Sequence, residues 1–223
     1  MEESTSREKV LKRVRNALIY KTDNPFPQVE FDSPVYAPLE DTPDVHFAQA
    51  FSKLGGKFVY CEGESDLVET LSAIAAEHDW QDVCCIDPGL QYLLTQAGIP
   101  YQSDNESFHE TRVGVTGCEF LISRLGSIMI SSRQESGRRL NVFPEIHVVI
   151  AYTHQLVMDL KDALAGIREK YPNKIPSLIS VITGPSRTAD IEKTLVMGAH
   201  GPKELYVFLT EDSDAPISEV EDE

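Results

Sequence analysis

The sequence predicts an α/β fold: a mostly parallel open sheet flanked by helices, with an N-terminal helical arm in front of it. Three observations predict it. From residue 44 onward, short apolar runs alternate with segments of helical period. That strand–helix–strand order, with apolar strands, implies parallel pairing and right-handed crossovers. And a dense polar stretch, Thr183 to Glu192, sits between two apolar strands, at a strand end where open sheets of this class bind ligands.

The arm comes first. Ser6 to Tyr20 has Val10, Leu11, Val14 and Leu18 at helical spacing, with Lys9, Lys12, Arg13 and Arg15 around the other faces. Ser6 with Lys9 makes no capping box, so the start is loosely specified. Residues 21–43 hold Pro25, Pro27, Pro34, Pro38 and Pro43, and each proline removes a donor and fixes φ. Residues 1–43 are therefore expected to be a helix and a Pro-rich arm, which wraps its own domain or a neighbour. Residues 44–210 are the α/β domain.

Within that domain, Asp44 to Leu54 reads as a helix with Val45, Ala48, Phe51 and Leu54 inward and Gly55-Gly56 as its stop. Lys57 to Cys61 is a strand. Ser65 to Asp79 is a helix burying Leu67, Val68, Leu71, Ile74 and Ala75, and Val83 to Asp87 is a second strand. Pro88 opens a helix that runs to Ala97 and stops at Gly98. Val113 to Thr116 leads to a glycine turn at Gly117, with Glu119 in an exposed turn beyond it. Leu121 to Ser132 reads as a hairpin turning at Gly126. His147 to Tyr152 is a strand, and Thr153 caps a long helix to about Tyr171 with Leu156, Val157, Leu160, Leu164 and Ile167 inward. Strands 177–182 and 204–209 complete the sheet. Residues 211–223 hold seven carboxylates and read as a solvated acidic tail.

Composition excludes several functions. A net charge of −16 argues against a phosphate-neutralising, nucleic-acid-binding surface. No apolar run approaches the roughly 18 residues of a membrane span, and no apolar signal core follows Met1, so the chain reads as cytoplasmic. Cys61, Cys84, Cys85 and Cys118 form no Cys-x-x-Cys pair. They read as small buried residues, and no metal site or iron–sulfur cluster is expected in this chain. Gly-x-Gly-x-x-Gly, the Walker lysine loop and the nucleophile elbow are absent.

The polar stretch is the candidate site. Gly184 permits a close turn and Pro185 stiffens it. Ser186 or Thr188 would cap a short helix over about Ala189 to Val196, whose first turn offers unpaired N–H groups and a partial positive charge. Arg187 would add a planar cation, giving a site for a small carboxylate or phosphate. Asp190 and Glu192 would fix Arg187, cap the helix or bind a hydroxyl. His200, between Gly198 and Gly201-Pro202, is an acid/base candidate or a turn donor. Glu119 is the second acid/base candidate, Arg138 a second anion contact, and Thr116, Gly117 and Gly201 complete the ligand set. His147 and His154 read as ordinary polar ends of their elements.

Gly184 to Glu192 followed by Gly198-Ala199-His200-Gly201-Pro202 resembles the signature of the LUD-domain family, in its lactate-utilisation C group. Val113 to Gly117, Gly126 to Ile130, Arg138 and Phe143 to His147 agree with it. The resemblance implies a fold like the NagB/RpiA/CoA-transferase superfamily. It also implies a cluster-free subunit acting in L-lactate oxidation to pyruvate, beside partner subunits that carry the iron–sulfur clusters. The sequence departs once: where the family has Ala-Glu-Thr-Gly-Thr in the hairpin, residues 123–127 read Ser-Arg-Leu-Gly-Ser, a cation for an acid. Alternatives stay open: a stand-alone enzyme like a CoA-transferase or folate cyclo-ligase, or a scaffold for the redox subunits. Homo-oligomerisation stays open too.

Overall fold

The computed structural model describes residues 5–19, 25–26, 28, 36–37, 41–103, 111–188, 196–198 and 200–211. The chain divides into two compact units, Met1–Pro38 and Leu39–Glu223. Most of the Pro-rich segment, Asp190, Glu192 and the acidic tail beyond residue 211 lie outside the described residues.

In the first unit, α1 spans Ser6–Ile19. Its start is better specified than Ser6 with Lys9 suggests. The Glu8 amide donates to the Thr5 hydroxyl and the Thr5 amide donates to the Glu8 carboxylate, a capping box one residue earlier.

The second unit is built on a six-stranded sheet in the order β1-β12-β7-β4-β2-β3. These strands are β1 (Lys57–Cys61), β2 (Val83–Cys85), β3 (Tyr101–Gln102), β4 (Val113–Thr116), β7 (Ile146–Tyr152) and β12 (Glu204–Thr210). Every pairing in it is parallel, as the apolar strands predict. Helices α3 (Glu64–Glu77) and α4 (Pro88–Gln96) cover one face through Leu67, Leu71, Leu90, Leu93 and Leu94. On the other face lie α2 (Pro43–Lys53), with Phe47 and Phe51 fully buried, and a second sheet. Phe47 rather than the half-exposed Val45 faces the core.

That second sheet is a departure from the sequence reading. Its order is β8-β5-β6-β9, with β5 (Phe120–Ile122), β6 (Ser127–Ser131), β8 (Leu156–Val157) and β9 (Ile179–Ile182). The expected hairpin is present as β5 and β6, joined by a 3-10 turn at Ser123–Leu125 and by Gly126 with φ +56. But β9 pairs antiparallel with β6 and does not extend the parallel sheet. All of β6 is buried because Ile128 and Ile130 face the large sheet while Met129 faces α5 (Leu160–Lys170). The layers therefore run helix, parallel sheet, mixed sheet, helix.

The long helix expected from Thr153 starts later. Leu156 and Val157 pair with Leu121 and Ile122, and α5 begins behind an Asp159–Asp162 capping box. Both segments fit a helical period, but the strand pairing satisfies the backbone that a helix would otherwise satisfy. Ala163 and Ile167 are its buried residues, and Leu160 and Leu164 are exposed.

Candidate functional site

In the parallel sheet, the chain steps outward from β2 to β3, then returns to β4 and continues to β7 and β12 on the other side. The order thus reverses beside β2 and β4, and the carboxyl ends of these strands are where such sheets hold ligands. A cavity of about 310 Å³ opens there. It is lined by Asp87 and Gly89 after β2, Gly117 and Cys118 after β4, and Tyr152 and Gln155 after β7. Arg133 to Glu135 and the end of α5, Lys170 and Tyr171, close it.

Several of these groups are already committed. Asp87 caps α4, its carboxylate accepting from the Gly89 and Leu90 amides at 2.9 and 3.4 Å. The helix N-terminus is thereby satisfied from within the chain. The Gln155 side chain donates to the Cys118 carbonyl at 2.6 Å and accepts from the Tyr152 amide at 2.8 Å. The Thr116 hydroxyl donates to the Gly117 carbonyl at 3.0 Å, so His147 Nε2, at 2.8 Å, is the donor to Thr116. Thr116 is therefore buried and occupied, while Gly117 lines the cavity.

Glu119 departs most from its expected place. It is buried, not exposed in a turn. Its amide donates to the Met129 carbonyl at 2.8 Å. One carboxylate oxygen accepts from Ser131 Oγ at 2.5 Å and from the Tyr171 hydroxyl at 3.0 Å, and the other accepts from Lys170 Nζ at 2.8 Å. Burial opposes the charge of Lys170, but the hydrogen bond and charge of Glu119 overcome it and raise the ammonium's pKa. Burial, helped by Glu119, raises Tyr171 also, so its hydroxyl stays a donor at neutral pH.

His147 is fully buried in β7, and burial pulls its pKa down to about 4 from an ordinary 6.5. Its Nδ1 has no hydrogen-bond partner. Between pH 6.5 and 4 the unfolded chain takes up this proton and the folded chain does not, so stability falls as pH falls. The expected loss is about 3 kcal/mol across that window. Urea denaturation at pH 7, 5.5 and 4.5 should show a steeper loss for wild type than for His147→Gln.

The 183–202 stretch lies elsewhere. Arg187–Thr188 forms β10, which pairs antiparallel with β11, Val196–Met197. Thr188 and Val196 are thus strand residues, so the helix expected over about Ala189 to Val196 does not extend to Val196. Residues 189–195 lie outside the described ones. The Arg187 guanidinium donates to the Leu54 carbonyl at the end of α2, where a cation also suits the helix dipole. A Cβ added at Gly184, φ +81, would lie 3.0 Å from that same carbonyl oxygen, and Thr183 Oγ1 meets Ser127 Oγ at 2.9 Å. Ser186 is half-buried, its amide donating to the Pro202 carbonyl at 2.8 Å and its carbonyl accepting from the Gly198 amide at 2.9 Å. Because Arg187 is exposed and, among the described residues, its hydrogen bond goes to a single carbonyl, Arg187→Ala is expected to cost under about 1 kcal/mol in urea denaturation.

His200 and Gly201 line a second hollow of about 470 Å³ with Val142, Phe143, Glu145 and Lys203. This hollow lies at the amino ends of β7 and β12, so the length of a strand, roughly 20 Å, separates it from the crevice at their carboxyl ends. His200 and Glu119 therefore do not form one acid/base pair. Arg138 is exposed and donates to Ser177 Oγ at 2.5 Å. Arg124 holds Asp159 at 2.5 Å, at the start of α5.

Arg133, Lys170 and Tyr171, which line the crevice, and Ser131, which bonds Glu119, are not among the residues that the sequence singled out as a site. Lys170 lies 51 positions from Glu119, and no local pattern joins them. The Asp87-Pro88-Gly89 cap at a strand end was the available sign of the crevice. Cys61, Cys84, Cys85 and Cys118 are buried free thiols, and burial pushes Cys61 up to about 11 and Cys85 up to about 12. Among the described residues, no three His, Cys, Asp or Glu side chains converge as a metal site, and no helix is long and apolar enough to cross a membrane.

The LUD domain family model matches residues 45–210. Lactate utilization protein C of Geobacillus thermodenitrificans is 34% identical over 109 residues, 48% of this chain and 45% of that protein. The protein of that name from a Geobacillus sp. is 29% identical over 170 residues, 66% of this chain and 69% of that one. The one from Bacillus subtilis is 33% identical over 105 residues, 46% and 44%. The chain thus spans less than half the length of the first and third of these relatives. A crystal structure of a DUF162 family protein from Deinococcus radiodurans aligns with a TM-score of 0.55 at 19% identity, covering 78% of this chain and 99% of that one.

Proposed function

Because the chain belongs to the LUD domain family, we propose that it is a subunit of a lactate-utilisation system and binds a small carboxylate in the crevice beside β2 and β4. The observation that carries this is the cavity at the point where strand order reverses, with Lys170 and Arg133 on its wall. The relatives named for lactate utilisation support the choice of ligand class. Oxidising lactate to pyruvate removes two electrons and two protons. In this reading, iron–sulfur centres on partner subunits accept the electrons, and this chain holds the carboxylate. The Arg187 stretch is less suited to the anion, because its guanidinium is bound to the Leu54 carbonyl and Thr188 is paired as a strand residue.

Titrating the purified protein calorimetrically with L-lactate, pyruvate, coenzyme A and inorganic phosphate tests the reading. Binding of lactate or pyruvate is expected, with Arg187→Ala binding as wild type does. If neither carboxylate nor phosphate binds, or if Arg187→Ala alone abolishes binding, the crevice is the wrong site; phosphate binding alone would keep the crevice and overturn the carboxylate.

A second reading, a scaffold for redox subunits, is favoured by α1. Val10, Leu11, Val14 and Leu18 are all exposed along one stripe of it, beside Lys9, Lys12, Arg13 and Arg15. Co-purification of partners that is lost on deleting residues 1–38, with ligand binding intact, would support the scaffold.

A further inference from the structure

We infer that Lys170 is the residue that takes the ligand's charged oxygen in this crevice, and that Glu119 is the positioning residue that holds it there. The inference rests on the crevice reading above and deepens it to named side chains.

The pair has an uneven environment. Glu119 has a fully buried side chain, whereas that of Lys170 is 53% exposed and lines the cavity. A buried carboxylate needs a counter-charge and donors, and Glu119 has both. Its two oxygens accept from Ser131, Tyr171 and Lys170, and its buried side chain does not line the cavity, so it is not placed to take a proton from a ligand. The ammonium is different. It has three N–H donors, and Glu119 takes one. Among the described residues no other hydrogen-bond acceptor takes the rest, which leaves them for a group in the cavity.

The alternatives within the cavity are weaker. The α4 N-terminus is capped by Asp87. The Gln155 side chain is spent on the Cys118 carbonyl and the Tyr152 amide. Arg133 is exposed and would add long-range attraction from the rim. An ammonium fixed at the wall, half-exposed and held by a carboxylate behind it, is a point charge set for a small oxyanion. The chemistry is that of a carboxylate, with inorganic phosphate as the other source of such an oxygen.

Glu119 acts on the ligand only through Lys170. It fixes the position of Nζ and keeps the amine protonated. Removing its charge while keeping its shape lets Lys170 swing free and lose its proton at lower pH.

The experiment is calorimetric titration of the full chain with L-lactate, pyruvate and phosphate from pH 7 to 10. Lys170→Ala should weaken carboxylate binding about tenfold or more, and Lys170→Arg should restore it to within about threefold of wild type. Glu119→Gln should bind more weakly, and its affinity should start to fall at lower pH than that of wild type. Lys170→Ala leaves the buried Glu119 carboxylate without its counter-charge and should melt below wild type, so the double variant Glu119→Gln/Lys170→Ala, read beside Glu119→Gln alone, keeps the test free of misfolding. Phosphate binding with Lys170 dependence and no carboxylate binding would retain Lys170 but overturn the carboxylate. Wild-type carboxylate binding that Lys170→Ala leaves unchanged would overturn the inference and spare the crevice reading. No anion binding by wild type would overturn both.

Discussion

Gly126→Val is expected to destabilise the protein by about 4 kcal/mol in urea denaturation. Gly126 has φ +56, a left-handed conformation that a β-branched residue avoids. An added Cβ would also lie 2.4 Å from the Phe51 amide nitrogen and 2.6 Å from the Ala50 carbonyl carbon. Those atoms are helix backbone and do not swing aside as a side-chain tip would. To make room, α2 would have to shift, and it carries Phe47 and Phe51, both fully buried. Gly137→Ala is the control: φ is +62, but a Cβ there meets nothing within 4 Å. It should cost only the conformational term, about 1 kcal/mol. Equal losses for the two variants would mean that the hairpin turn and α2 are not in close contact.

Glu119→Ala is expected to cost a similar amount, about 4 kcal/mol. The main part comes from two hydroxyls. Ser131 is buried and Tyr171 half-buried, and each loses its acceptor. Lys170 contributes less, because its half-exposed side chain can turn to water. Glu119→Gln keeps an acceptor oxygen of the same reach and should lose roughly half as much. A loss under about 1 kcal/mol for Glu119→Ala would show that water enters and satisfies the donors.

These two residues also show how far the sequence could be read. Gly126 was legible as a turn, because a glycine between two apolar runs has a local meaning. Its contact with α2 was not, since nothing in residues 121–132 names the helix that packs on them. Glu119 was legible as a polar residue after a glycine turn, and that local view put it in solvent. Its three donors come from β6 and from the end of α5, and they bury it. The Thr5–Glu8 capping box, by contrast, is written in four consecutive residues, but the pattern was sought at Ser6 and Lys9, one residue late.

The sequence by itself determined the α/β class, the parallel core strands β1, β2, β4, β7 and β12, the β5–β6 hairpin and the family, since each rests on local period, glycine and proline stops, or a contiguous motif. Only the tertiary structure decided that β9 leaves the parallel sheet for a second one, and that residues 156–157 are a strand. It alone brought Glu119 to Lys170 beneath the crevice and left His200 at the far end of the strands. The physical reason is that a strand's period shows which face is buried but carries no record of its neighbour. Backbone donors are satisfied by whichever strand arrives beside them, and a carboxylate is buried only where distant cations and hydroxyls converge on it.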